Sequence, residues 1–147
     1  MQELLRHTLA TTAYRFQKAV YQANEEFGNL VIGHGVRTPA DLINHMNNVL
    51  QFTIAKIKDQ ERHTIESGSF IQEVTTFNQK LKELDESLAQ NEITLETAKK
   101  LFQGPISDVI THVGQLAMMR RFNNQPIQGE VFFKAAIEIG KFDYFLN

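Results

Sequence analysis

The chain has 147 residues, a formal charge of -2 from 15 basic and 17 acidic side chains, and no cysteine. That length suits one domain able to bury a core without covalent staples. The missing thiols exclude disulfides, thiolate zinc fingers and a cysteine nucleophile, and the near-neutral charge argues against a surface built to neutralise phosphates. The opening MQELLRHTLATTAYRFQ lacks the apolar core of a signal peptide, and no later run reaches the ~18 apolar residues of a membrane helix. The expectation is a soluble cytoplasmic protein with no nucleic-acid or membrane partner.

Strand-like alternation is almost absent, and the three prolines and eight glycines gather mostly where helical periodicity fails, so the pattern predicts an all-α fold. Leu5, Leu9, Ala13, Phe16, Val20, Ala23 and Phe27 recur at three or four residues and predict a first helix from about Gln2 to Phe27. The segment GNLVIGHGVR breaks it. Thr38 as N-cap, Pro39 at the first helical position and Asp41 in the first turn then open a second helix, expected to reach about Asp59 or even Glu66. A third, from about Phe70 to Ala89, carries Phe70, Val74, Phe77, Leu81, Leu84 and Leu88 on its buried stripe. Thr94 caps a short helix to about Gln103, which Gly104 and Pro105 are expected to stop, and the last long helix runs from Ile106 to Phe122. The tail VFFKAAIEIGKFDYFLN is too apolar for disorder and is expected to pack back on the rest, with one short helix at most. Four substantial helices with modest connections make an antiparallel or up-down four-helix bundle the simplest architecture.

The chemistry lies on the last of these helices. On a wheel of 100° per residue, Asp108 and His112 fall about 40° apart, with Gln115 and Met119 extending the strip. This strip borders the core side marked by Ile106, Val109, Val113, Leu116 and Ala117. On the second helix His45 falls between Phe52 on one side and Val49 and Leu42 on the other, so it too is expected to face inward. A buried polar group without a partner costs roughly 1–3 kcal/mol, so each inward histidine needs one. A shared divalent metal satisfies all three side chains, as two imidazole nitrogens and a carboxylate suit zinc or nickel first, with iron or manganese as alternatives. The plainer readings stand beside it: a satisfied core histidine, and an Asp-His pair at i,i+4 that hydrogen-bonds within its own helix.

TPADLINHMNNVL, with its Thr-Pro helix start and His45, and SDVITHVGQLAMMRRF, with His112 followed by Gly114 and Gln115, resemble the DinB-like (YfiT-like) proteins over essentially the whole chain. The resemblance implies a four-helix bundle whose second helix carries one metal-binding histidine, and whose later helix carries a His-x-x-x-His pair. His45 and His112 match two of these positions. Asp108 stands where the family usually has its other histidine, and Val113 where it often has arginine. The resemblance further implies a homodimer and a small-molecule substrate. Some relatives are thiol-dependent transferases or isomerases, and others are described as hydrolases or damage-inducible proteins. The alternative is a non-catalytic dimeric stress or interaction protein with a degenerate site.

Of the remaining candidates, Gln115 is placed one turn beyond His112 to bind a ligand or metal-bound water, or else to make a helix-packing hydrogen bond. His34, in the loop before the second helix, is expected at the edge of the pocket if it has a role. His7 and His63 read as solvent-exposed, Met118 and Met119 as core, Arg120 and Arg121 as solvated or as neutralising the helix C-terminus. Tyr14 and Tyr144 are within conceivable reach of a pocket.

Overall fold

The computed structural model describes residues 1–145 and is all-helical, with no strand among the described residues. Its elements are α1 (Gln2–Val20), a single-turn α2 (Glu25–Gly28), α3 (Pro39–Ile57), α4 (Phe70–Gln90), α5 (Leu95–Leu101), a π-helical turn (Phe102–Ile106), α6 (Ser107–Phe122) and a 3-10 turn (Phe132–Lys134). Of the long helices, α1 packs on α4 and α6, and α3 packs on α4 and α6. None of the helices is long and apolar enough to cross a membrane.

The caps that start α3 and α4 are local chemistry. The Thr38 side chain accepts from the Asp41 amide, with Pro39 behind it in the first turn. Ser69 and Gln72 form a reciprocal capping box, and Glu25 of α2 accepts from the Phe70 and Ile71 amides, each at 3.1 Å. Gly28 lets α2 sit against α4, since a Cβ there would lie 2.4 Å from that of Phe70. The stripes then close one core, in which Leu9, Phe16, Phe27, Met46, Leu50, Phe77, Leu81 and Leu116 are fully buried. The rings of Phe16 and Phe77 meet at 4.2 Å.

Three boundaries differ from expectation. The first helix stops at Val20, because Gln22 takes a left-handed φ of 58° and Asn24 caps a separate turn by accepting from the Phe27 amide. The second stops at Ile57, with Asp59 at φ 51°, and the segment beyond is held by side chains of α3: Asn48 both accepts from the Ile65 amide and donates to its carbonyl. Gly104 and Pro105 do not stop the fifth helix. They widen it into the π turn, so 95–122 is one continuous helical segment. Pro105 has no amide proton to give to the Leu101 carbonyl, and the Ser107 hydroxyl and amide both turn to the Phe102 carbonyl.

The tail returns along α1. The buried Gln17 amide donates to the Phe142 carbonyl at 2.6 Å and accepts from the Tyr144 amide at 2.9 Å, while Glu130 accepts from Tyr14 and pairs with Lys18. Tyr14 and Tyr144 are therefore used in this seam, their rings 5.2 Å apart. Arg120 is also placed differently from expectation: it is buried, and its Nη1 donates to the carbonyls of Ala19 and Tyr21, closing the C-terminal end of α1.

Candidate metal centre

Helix α3 presents His45 and helix α6 presents Asp108 and His112, and the wheel argument does bring these three together. The His45 Nε2 lies 3.4 Å from Asp108 Oδ2, and the His112 Nε2 lies 3.3 Å from Asp108 Oδ1. The imidazoles stand edge to face with centroids 5.0 Å apart. One ligand atom from each residue can be chosen so that all lie within 4.8 Å of one another, and the group could hold a metal ion.

The donor set and its spacing fit a divalent ion. In a tetrahedral shell with bonds of about 2.0–2.1 Å to nitrogen and oxygen, neighbouring ligand atoms stand about 3.3 Å apart. Each histidine stands near that separation from one carboxylate oxygen, His45 from Oδ2 and His112 from Oδ1, and both contacts exceed the roughly 2.7–2.9 Å of a charge-assisted hydrogen bond. Each imidazole approaches a different carboxylate oxygen, so Asp108 stands between the histidines instead of favouring one.

The third side chain of the strip completes the arrangement. His112 Nδ1 lies 2.7 Å from Gln115 Oε1, and an amide oxygen can only accept, so this contact favours a proton on Nδ1 and, in the neutral imidazole, keeps Nε2 for a ligand bond. On α6 itself, Thr111 donates to the Asp108 carbonyl at 2.8 Å, Val109, Val113 and Leu116 are buried, and the strip is held at the border of the core.

The site is more open than an inward-facing reading implies. Side-chain exposure is 34% for His45, 42% for Asp108 and 13% for His112, so only His112 is close to buried. The cost of burying an unpaired polar group is therefore not what draws these residues together. Two hollows reach residues of the cluster. Asp108 lies on the rim of the larger, between α3 and the π turn, with Phe52, Leu101 and Pro105. His112 and Gln115 line the smaller, with the loop before α3 and the far half of α6.

His34 is exposed at φ 56° between Gly33 and Gly35 and is not among the residues lining that smaller hollow. Its neighbours Gly35, Val36 and Arg37 are. Arg37 is thus a pocket residue that sequence reasoning passed over; its position immediately before the Thr38 cap was the available signal. His7 and His63 are exposed, Met119 is buried, and Met118 is exposed at the edge of the hollow.

No protein-family model matches this chain, and neither a curated protein nor a solved structure matches it.

Proposed function

We propose that the protein is a divalent-metal-dependent enzyme of the DinB-like kind, a four-helix bundle that acts as a hydrolase or a thiol-dependent transferase. The observation that carries this reading is the convergence of ligand atoms from α3 and α6, far apart in sequence, within 4.8 Å of one another. Zinc or nickel suits two imidazoles and one carboxylate, and three protein ligands leave coordination positions open.

A divalent ion, when bound, supplies Lewis acidity that favours the deprotonated form of an oxygen or sulfur nucleophile near neutral pH. The chain's own residues do the rest. His45 and His112 offer neutral nitrogen donors, and Asp108 brings the one negative charge of the set. Gln115 holds His112 in the tautomer and orientation that donation requires. With no cysteine in the chain, a thiol-dependent reaction takes its sulfur from a cofactor or substrate. Asp108 lines one hollow and His112 the other, so each offers space for a small molecule beside a ligand residue.

The test is activity on a panel of activated esters, and on electrophiles paired with small thiols, before chelation, after chelation and after reloading with zinc or nickel. The expected result is turnover that chelation removes and reloading restores. A protein inert under all three conditions favours the non-catalytic alternative.

A further inference from the structure

The smaller hollow has a composition that says more about its occupant than its position does. It measures about 620 Å³ and has His112 and Gln115 among its lining residues. Ile32, Val36, Leu42, Met119 and Phe122 give it apolar walls, and Arg37 is the one formally charged side chain among its lining residues. Arg37 forms no ion pair among the described residues. Gly33, His34 and Gly35 take positive φ values in succession, and the Val36 amide donates to the Gly33 carbonyl, a tight turn that leads into Val36 and the exposed Arg37, both of which line the hollow.

We infer that this hollow binds a small organic carboxylate with an apolar body, its carboxylate on Arg37 and its body against Leu42, Met119 and Phe122. The volume suits a small molecule. The apolar walls favour a hydrocarbon or aromatic body, and a guanidinium matches the two oxygens of a carboxylate with a planar pair of donors. A single cation balances a monoanion; a phosphate dianion would leave charge uncompensated. Because His112 and Gln115 line the same hollow, the inference assigns a substrate class to the proposed enzyme and rests on that reading only for the reacting end.

The experiment follows amide shifts of the full-length protein titrated with 4-phenylbutyrate and with its neutral amide, 4-phenylbutyramide, in metal-stripped and metal-loaded forms. The expected result is shifts centred on Val36, Arg37 and Met119, with the acid bound about tenfold more tightly than the amide in both forms, as loss of one charge-assisted pair implies. Arg37→Gln removes that preference, and Arg37→Lys keeps part of it. Equal affinity for acid and amide, an unchanged preference in Arg37→Gln, or shifts centred elsewhere overturns the inference. A preference seen only with metal present also overturns it, by placing the carboxylate at the cluster. A preference that persists in stripped protein sustains the anion site even where metal loading fails, so the two readings fail separately.

Discussion

His112 is gripped from both ends: Gln115 Oε1 lies 2.7 Å from its Nδ1, and Asp108 Oδ1 lies 3.3 Å from its Nε2. In the neutral imidazole, the Nδ1–H that donates to Gln115 leaves Nε2 with the lone pair a metal ion needs. Replacing Gln115 by Leu is therefore expected to weaken metal binding by roughly 10–100-fold, the usual effect of losing a partner that orients a ligand. Gln115 is exposed, so the fold should be unchanged. Competition with a chromophoric chelator measures the affinity, and an affinity equal to wild type would contradict this role.

The buried stripe of the 95–122 segment steps by three or four residues except between Leu101 and Ile106, where it steps by five. The π turn absorbs that step and keeps Val109, Val113 and Leu116 in the core while Asp108 and His112 face His45. Inserting one alanine between Gly104 and Pro105 lengthens the step beyond what the turn absorbs and rotates α6 by about 100° against α5, so the core stripe and the ligand strip cannot both be kept. The expected outcome is a melting temperature lower by more than about 5 °C, together with loss of metal binding. Gly104→Ala is the control, since a Cβ there meets nothing within 4 Å. An insertion variant that melts like wild type would contradict this role of the π turn.

Glu130 anchors the returning tail. Its hydrogen bond from Lys18, opposed by burial and reinforced by Tyr14 and by the charge of Arg15, holds its carboxyl below the usual 4.5. A depressed folded-state value stabilises the folded form at pH above the unfolded value, and the contribution is lost as pH falls through the folded value. Wild type is therefore expected to protect the tail better than Glu130→Gln at neutral pH, with the difference shrinking below about pH 4.5. Hydrogen exchange of the amides of Phe142 and Tyr144 across pH reads this directly. A difference that grows on acidification would contradict the assignment.

Much of this arrangement is legible in the residues, and the parts that are not have physical reasons. Thr38 with Pro39, Thr94 and the start of the Phe70 stripe mark helix ends because a cap is a contact within four residues. His45, Asp108 and His112 are legible because a wheel preserves angular order within each helix. Their openness is not, since exposure depends on how closely α3 and α6 approach, which no local pattern contains. The left-handed turn at Gln22 was hidden by apolar spacing that continues through Val20, Ala23 and Phe27. Arg120 read as a solvated end residue because the carbonyls it satisfies, Ala19 and Tyr21, lie a hundred residues away. The α2 turn, capped by Asn24, and the π turn were the missed elements with a local signal. The five-residue step from Leu101 to Ile106 around a Gly-Pro pair is visible in the sequence, but Gly-Pro most often marks a helix end.

We propose that His45, Asp108 and His112 jointly hold a divalent ion. Elemental analysis settles it most directly, comparing wild type with His45→Ala and Asp108→Ala after purification without added metal and again after reconstitution. The expected result is close to one zinc or nickel per chain in wild type and a large loss in each variant, with all three proteins folded by circular dichroism. Wild type that holds no more metal than the variants, and gains none on reconstitution, would contradict the account.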